Sequence, residues 1–437
     1  MAVSGWFVLL VLAGVVPVIV LDGWQGLLAW IAVVLLVGIG DLALAGSPRA
    51  LRFARRGPAR MRLGETEPTT LLVENTGHRT VRGTLRDAWQ PSAGAAPKRR
   101  RISLPPDERR AFAGTLTPVR RGERRSAFVT VRSFGPLRLV ARQASIRVPA
   151  AVRVLPPFLS RRHLPSRLAR LRELDGRTSV MVRGQGTEFD SLREYVRGDD
   201  VRSIDWRATA RRRDPATGGA TLVVRTWRPE RDRRVVIIVD AGRTSAARIA
   251  DEPRLDTAFE TSLLLAALAD RAGDRIDLLV FDRRVRGRVQ GARGAQLLAR
   301  MVDAMAPIEP ELIETDWAAV PALVRQVTAQ RALVLLLTSA DTPGSSRGLL
   351  AMLPQLTRQH TVVVASVTDP DVLAAAAQRR DRTEVYRAAA AERALLDGRR
   401  VAAALRQSGA EVVTAAPQDL PPAVADAYLA LKAAGRL

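Results

Sequence analysis

Four acidic side chains between residues 188 and 205 have the types and spacing that acid–base or metal chemistry needs. Glu188, Asp199, Asp200 and Asp205 fall within one short segment. Grouped carboxylates can transfer a proton or hold a hard cation. Adjacent residues of a strand point to opposite faces, however, so Asp199 and Asp200 would not act together in an extended segment. A metal-dependent, hydrolase-like enzyme that uses these four acids is therefore one hypothesis.

Arginines alternate with these acids, which supports two non-catalytic interpretations. The first is a surface that recognises a partner or acts as a switch. The second is an internal network of salt bridges and caps, with Gly198 at a turn and Trp206 in the core. Closely interleaved opposite charges favour the network.

The rest of the sequence lacks the residue sets of common catalytic and cofactor sites. There is no cysteine, which excludes disulfides and cysteine-ligated metals. His78, His163 and His360 are far apart and lack metal-ligand spacing. The sequence contains no Ser-His-Asp set and no Walker-type loop, and Gly184-x-Gly186 is too short for a dinucleotide site. We therefore predict no catalytic residues and no enzyme activity.

A net charge of +24 first suggests nucleic acid or anionic lipid as a partner. Lys98 and Lys432 are the only lysines, and the arginines are spread along the chain, often beside an acid. This bias resembles the codon usage of a GC-rich genome more than a phosphate-binding surface. We expect no nucleic-acid partner.

The elements that would position the acidic segment begin with two apolar runs at the N-terminus. Residues 5–21 and 23–40 carry no charge, and each spans about 26 Å as a helix, close to the thickness of a bilayer core. We predict a transmembrane helical hairpin over residues 1–41. A basic juxtamembrane linker, residues 42–60, follows. The positive-inside rule places it and the rest of the chain in the cytoplasm of a bacterium, and the same arginines could contact anionic headgroups.

Two further folded regions are predicted after the linker. Short alternating strands separated by turn residues indicate a β-sandwich over residues 61–155. A connector that contains the acidic segment covers residues 156–233. Residues 234–437 alternate strand and helix, which predicts an α/β domain with a mostly parallel sheet. The predicted strands are 234–240, 275–282, 331–338, 361–367 and 410–414.

Ligands of such sheets bind at the carboxyl ends of the strands. Asp240 follows the buried strand Val235–Val239, and Thr338-Ser339 ends another predicted strand. We therefore expect a crevice where these ends meet.

The acidic segment matches the pattern G-x-G-x-E-F-x-x-x-R-x-Y-x-x-G-D-D-x-R-x-I-D-W-x-x-x-A-R. Through it the chain resembles the family catalogued as domain of unknown function 58. We call residues 184–211 the signature segment and treat its fixed residues as candidates for partner binding. These candidates are Gly186, Glu188, Phe189, Arg193, Tyr195, Gly198, Asp199, Asp200, Arg202, Asp205, Trp206 and Arg211.

The resemblance implies more than the residues alone establish. It implies an immunoglobulin-like sandwich, a doubly wound von Willebrand A-like domain, and association with a MoxR-type AAA+ ATPase. Such domains often hold Mg²⁺ at a metal-ion-dependent adhesion site built from carboxylate and hydroxyl oxygens. The positions that correspond to that site here are Asp240, Thr244, Thr315, Ser339 and Asp341.

This sequence departs from the adhesion-site pattern. Gly242 replaces the first serine, and Ser339 stands where an aspartate is expected. We therefore predict a degenerate site with weak or no Mg²⁺ binding. The preferred interpretation of the whole chain is an adaptor anchored in the cytoplasmic membrane. Its partners would be the lipid bilayer, an AAA+ ATPase, and other membrane or cytoplasmic proteins.

Overall fold

The N-terminal apolar residues form helices in the computed structural model, which describes residues 2–20, 24–181, 188–197, 199–211, 221–228, 233–250 and 252–437. After a short strand, β1 (Ala2–Val3), come α1 (Gly5–Leu12), α2 (Val15–Val20) and α3 (Trp24–Leu44). Trp30 Nε1 donates to the Leu10 carbonyl at 3.1 Å, which fastens α1 to α3. Within the described residues, α3 begins the one helical run long and apolar enough to cross a membrane; α1 and α2 are shorter.

Two sheets follow, antiparallel except for one short strand. Their strands are β2 (Leu51–Arg56), β3 (Arg60–Arg62), β4 (Glu67–Asn75), β5 (Val81–Trp89), β6 (Arg100–Leu104), β7 (Arg109–Leu116), β8 (Gly122–Phe134) and β9 (Val140–Leu155). One sheet has the order β1-β9-β8-β5-β6, with β3 running parallel to β9, and the other has the order β2-β4-β7. Their apolar faces share a core that includes Val73, Leu85, Leu104 and Val131.

Part of the predicted basic linker belongs to this β region. Residues 51–56 form β2, paired in register with β4. Leu51 is buried and Phe53 packs on the core, so every second residue of the segment faces inward. Arg55 also points inward, where it pairs with Asp87 and stacks near Trp89. It is therefore unavailable for the headgroup contact expected of the linker arginines.

The second half of the chain opens with α4 (Leu164–Met181), β10 (Glu188–Glu194), α5 (Trp206–Arg211) and β11 (Val223–Arg228). Strands β12 (Arg234–Asp240), β13 (Arg248–Ile249) and β14 (Glu252–Pro253) precede α6 (Arg254–Arg271). Then come β15 (Arg275–Phe281), β16 (Val285–Val289), α7 (Ala295–Met305) and α8 (Val320–Val327). The chain continues through β17 (Leu333–Leu337), α9 (Arg347–Thr357), β18 (Thr361–Val367), α10 (Pro370–Ala377), α11 (Arg382–Gln407), β19 (Glu411–Ala415) and α12 (Leu420–Ala433).

These elements build a three-layer α/β domain. Its sheet has the order β16-β15-β12-β17-β18-β19 and is parallel except for the edge strand β16. Side chains of β12 alternate between two faces, as in any strand. Val236 and Ile238 pack with α8, α9 and α11, while α6 and α12 cover the opposite face. The sheet is buried on both sides, which explains the unbroken apolar run of β12.

The chain forms two compact units, Met1–Pro157 with Met305–Ile308, and Phe158–Ala304 with Glu309–Leu437. The signature segment and the carboxyl edge of the parallel sheet both lie in the second unit.

Candidate functional site

The signature segment forms strand β10, two short caps and the helix α5, and β10 pairs with β11, which follows the segment. β10 pairs antiparallel with β11, from Glu188 opposite Arg228 to Glu194 opposite Val223. Beyond the strand, the Tyr195 N–H donates to Leu222 O at 2.8 Å. The chain then crosses the end of β11, and the Asp205 N–H donates to Val223 O at 2.8 Å. Successive carbonyls of a strand point to opposite edges, so β11 is flanked on both sides.

Asp199 closes the turn after β10. Its carboxylate accepts two hydrogen bonds from Arg193, at 2.8 and 2.6 Å, and one from the Val196 N–H at 2.9 Å. The bond to Asp199 raises the pKa of Arg193. This bidentate pair holds the turn against the strand, as the network interpretation predicts.

The other two described acids of the group are helix caps. Asp200 Oδ1 accepts from the Arg202 N–H at 3.0 Å and begins the 3-10 turn Val201–Ser203. Asp205 Oδ1 accepts from the N–H groups of Arg207 and Ala208 at the start of α5. Its other oxygen accepts from Arg225 Nε at 2.8 Å. The Ala208 N–H first, and then Arg225, lower the pKa of the Asp205 carboxyl.

The three carboxylates serve three separate local structures. Asp199, Asp200 and Asp205 each bind their own turn or helix start and do not share a proton or a ligand. Gly186 and Gly198 lie outside the described residues. Glu188 and Phe189 are placed by the β10 backbone alone, and Arg211 ends α5 in an exposed position.

Trp206 corrects the network interpretation, which placed this side chain in the core. It is 68% exposed. Because α5 has only six residues, it can bury one narrow face, and that face holds Thr209, whose hydroxyl accepts from the Val223 N–H at 3.0 Å. Trp206, the first residue of the helix, is directed to solvent.

Exposed apolar side chains, each followed by an arginine, recur every five residues outside this network. The described surface they form, here called the doublet surface, comprises Val196-Arg197, Val201-Arg202 and Trp206-Arg207. Its apolar members are 62%, 64% and 68% exposed, and its three guanidinium groups form no ion pair with another described residue. Tyr195 and Asp205, which bond to the chain at opposite edges of the β11 end, lie two strand spacings apart, or about 10 Å. The sequence signal for this surface is the pattern V-R-x-x-x-V-R-x-x-x-W-R, in which each apolar residue precedes an arginine.

The second candidate, the carboxyl edge of the parallel sheet, centres on Asp240. This carboxylate is 2% exposed and accepts four hydrogen bonds. Oδ1 accepts from the Gly242 N–H at 2.8 Å and from Thr315 Oγ1. Oδ2 accepts from Thr244 Oγ1 at 3.0 Å and from Thr338 Oγ1 at 2.7 Å. The predicted trio Asp240, Thr244 and Thr315 is therefore assembled, and Thr338 joins it.

Close packing against the second loop explains why residue 242 is a glycine. A Cβ at this position would lie 2.3 Å from Thr315 Oγ1 and 2.9 Å from Ile313 O. The Arg243 N–H donates to the same Ile313 carbonyl at 2.8 Å, which fixes the two loops together. A serine at residue 242 would require the second loop to move.

The remaining predicted ligands, Ser339 and Asp341, are engaged by an arginine rather than by Asp240. Ser339 Oγ accepts from Arg254 Nη1 at 2.8 Å, and Asp341 pairs with the same guanidinium. Asp282, at the end of the adjacent strand β15, accepts from Arg286 at 2.8 Å. Burial raises the pKa of Asp282, but the N–H groups of Arg284 and Arg283 and the Arg286 guanidinium together bring it below its usual value.

This donor set does not fit a divalent cation. Mg²⁺ prefers several anionic oxygens and water in an octahedron. The Asp240 carboxylate already accepts four hydrogen bonds, and arginines engage the other nearby carboxylates, Glu314, Asp282 and Asp341. Arg243, Glu314 and Trp317 line the opening of this small crevice. The geometry favours a polar docking notch over a metal centre.

Comparison with known families confirms the resemblance carried by the signature segment. Residues 191–374 match the family described as Protein of unknown function DUF58. Uncharacterised proteins of Mycobacterium bovis and Mycobacterium tuberculosis are each 25% identical to this chain over 192 residues. The match covers 44% of this chain and 57% of each relative, so the chain spans little more than half of their length.

Solved structures give only partial likenesses. A CARDB domain from Pyrococcus furiosus is 20% identical, with a TM-score of 0.19; the match covers 24% of this chain and 91% of that one. A GH20 exo-β-N-acetylglucosaminidase from Vibrio harveyi is 11% identical, with a TM-score of 0.22; it covers 84% of this chain and 75% of that one. At these TM-scores, neither similarity bears on the function of this chain.

Proposed function

We propose that this chain, which carries a DUF58 region over residues 191–374, is a membrane-anchored adaptor that binds a protein partner. The doublet surface supports the proposal most directly. Tryptophan and arginine dominate the residues that carry binding energy in protein interfaces. Here they occur together on an exposed surface, and the acids between them are engaged in holding the backbone. Such a surface suits a partner with an acidic, partly apolar face.

The Asp240 crevice supports the same proposal as a second contact. Its loops are held by direct hydrogen bonds, and its mouth carries both an arginine and a carboxylate, Arg243 and Glu314, which pair at 2.7 Å. A preorganised polar notch costs little conformational entropy when a partner binds. In a von Willebrand A-like domain, the architecture implied by the family resemblance, this edge of the sheet would face the partner.

The partner we propose is a MoxR-type AAA+ ATPase in the bacterial cytoplasm. The family resemblance supports this choice, and the chain itself would contribute assembly while the ATPase supplies ATP chemistry. Anchoring through the N-terminal helices would keep the complex at the inner face of the cytoplasmic membrane. The arginines that follow α3 support the cytoplasmic orientation, since positively charged residues accumulate on that side.

The enzymatic alternative has less support from the geometry. Hydrolysis by the four acids of the signature segment would need at least two of them on one substrate or cation. Asp199 and Asp205 each pair with a different arginine, and Asp200 caps a separate turn.

The test is recovery of the ATPase from native membranes by cross-linking and affinity purification of the full-length protein. A Val201→Ser/Trp206→Ser variant removes apolar area from the doublet surface. A Val385→Ser/Tyr386→Ser variant is the matched control, because these side chains are 48% and 66% exposed on α11. We expect the wild type and the control to recover an AAA+ ATPase, and the doublet variant to recover at least tenfold less.

Equal recovery by both variants would remove the doublet surface from the proposal. Absence of any AAA+ ATPase with the wild type, under conditions that recover other membrane complexes, would overturn the choice of partner.

A further inference from the structure

The end of α3 is fastened to the β region by a buried carboxylate. Asp41 is 2% exposed and accepts hydrogen bonds from the N–H groups of Leu137, Leu139 and Val140, at 2.8, 2.9 and 3.0 Å. A Cβ at Gly135 would lie 2.1 Å from the Asp41 main-chain oxygen, so the β8–β9 loop closely approaches the helix. The final turn of α3 and this loop therefore form one rigid junction.

If α3 crosses a bilayer, this junction lies at the level of the lipid headgroups. No charge occurs from Trp24 to Gly40, and Asp41 is the first ionisable residue after the run. Seventeen helical residues span about 26 Å, nearly the full hydrocarbon thickness. The first charged residue then marks the boundary with the headgroups.

Three arginines lie at this junction: Arg79, and Arg138 and Arg142 of the β8–β9 region. Arg142 Nε donates to the Leu42 carbonyl at 3.0 Å, and Arg79 donates to the Ala43 carbonyl. Both cations therefore donate to carbonyls in the last turn of the helix, where a positive charge is favourable. Arg138 is exposed, directly after the Leu137 N–H that binds Asp41. Among the described residues, none of the three pairs with a carboxylate.

We propose that these three residues, the arginine collar, bind the phosphate groups of anionic phospholipids. A guanidinium has five N–H donors, and the bond to a helix carbonyl uses only part of that capacity. Its planar fork suits bidentate contact with phosphate. Exposed Leu137, at 59%, would enter the adjoining apolar layer.

The three arginines of the collar outnumber the two nearby carboxylates, Asp41 and Asp107, that no described arginine pairs with. The Asp107 N–H donates to Asn75 O at 2.8 Å, and the Asn75 side chain donates to Arg79 O at 2.9 Å, so the β6–β7 turn is close by. Glu108 of that turn is engaged by Arg110. The collar would thus fix the β region on an anionic membrane surface, which adds a lipid requirement to the membrane anchoring contained in the proposed function.

The test uses full-length protein in neutral detergent, titrated with fluorescent phosphatidylglycerol or phosphatidylcholine. The variant is Arg79→Gln/Arg138→Gln/Arg142→Gln. The matched control is Arg86→Gln/Arg101→Gln/Arg147→Gln, which removes the same charge from exposed positions on β5, β6 and β9. Thermal unfolding of each protein verifies that it is folded.

We expect the wild type to prefer phosphatidylglycerol, and the collar variant to lose about fivefold in affinity for each arginine removed, on the order of 100-fold in total. The control should lose less than tenfold. Equal losses in the two variants, or no preference of the wild type for phosphatidylglycerol, would overturn the collar.

Alkaline carbonate extraction of native membranes separates this failure from failure of the anchoring. Protein that stays in the membrane but shows no lipid preference contradicts the collar alone. Protein released by carbonate contradicts the membrane anchoring on which the collar rests.

Discussion

At the scale of single residues, the signature segment assigns opposite tasks to its acids and its arginines. The side chains of Asp199, Asp200 and Asp205 accept hydrogen bonds from nearby backbone N–H groups. Arg193 and Arg225 neutralise two of these acids. The remaining positive charge and the apolar side chains are left for solvent or a partner. The same alternation of charge therefore holds the fold and creates a surface.

The stabilisation of α5 by the Asp205 carboxylate should depend on pH. Its folded pKa lies below the unfolded value of about 3.9, so it stabilises α5 above that value and less as pH falls through the folded pKa. Asp205→Asn keeps the cap shape but loses the charge. We expect the wild type to exceed the variant in thermal midpoint at pH 7 and the difference to shrink towards pH 3.

Thermal unfolding of the two proteins across this range measures the effect. An Asp200→Asn variant is the control, because the Asp200 carboxylate caps a turn without an arginine partner. A difference between wild type and Asp205→Asn that grows in acid would contradict the assignment.

The part of the candidate site that could be predicted from the sequence consists of carboxylate and hydroxyl side chains in the loops at the carboxyl ends of the strands. Asp240, Thr244 and Thr315 were expected together and are together. The contacts of Ser339 and Asp341 could not be predicted, because both side chains bind Arg254, which reaches them from the start of α6. Sequence spacing shows which residues follow a strand, but a long side chain from elsewhere decides which oxygens remain available.

At the scale of elements, the predicted strands of the parallel sheet are present because burial on both faces demands continuous apolar runs. The strand predicted over residues 234–240 is β12, and the one over 361–367 is β18. β16 was missed because it reads Val-Arg-Gly-Arg-Val, as an edge strand with one exposed face can. The β10–β11 hairpin was missed because its strands are joined by α5 and a long connection rather than a two-residue turn.

Docking of α12 is set by a buried polar cluster. Tyr428, 1% exposed, donates to Asp274 at 2.5 Å, and Lys432 donates to the same carboxylate at 3.0 Å. Tyr428→Phe removes one donor from a buried carboxylate while keeping the ring volume. We expect a loss of about 1–3 kcal/mol in the stability of α12, because a hydrogen bond to a charged group is lost.

Hydrogen exchange of the α12 amides, followed by mass spectrometry, is the suitable measurement. Opening should become about 5- to 150-fold more frequent. Tyr386→Phe, at a position 66% exposed on α11, should leave exchange of α12 unchanged. Unaltered protection of α12 in Tyr428→Phe would show that apolar packing alone holds the helix.

At the scale of the whole molecule, the contacts at the two ends of the N-terminal apolar segment predict its topology in a membrane. β1, just before α1, pairs with β9 through Ala2–Ala141 and Val3–Val140, and Asp41 at the end of α3 binds the same region. The apolar segment thus begins and ends beside the same part of the β region. If it enters a bilayer, it must return to the side from which it started, as a hairpin does.

Because the chain has no cysteine, single introduced cysteines report this topology directly. Gln25→Cys lies at the exposed start of α3, at the far end of the hairpin, and Arg109→Cys lies at the exposed start of β7. With a membrane-impermeant maleimide on intact spheroplasts, we expect Gln25→Cys to react. Arg109→Cys should react only after permeabilisation, because the positive-inside rule places the β region in the cytoplasm.

Labelling of Arg109→Cys in intact spheroplasts would show that the orientation is the opposite of the one expected. Protection of both positions until permeabilisation would show that the hairpin does not reach the outer surface, and would leave α3 as a segment that enters the membrane without crossing it.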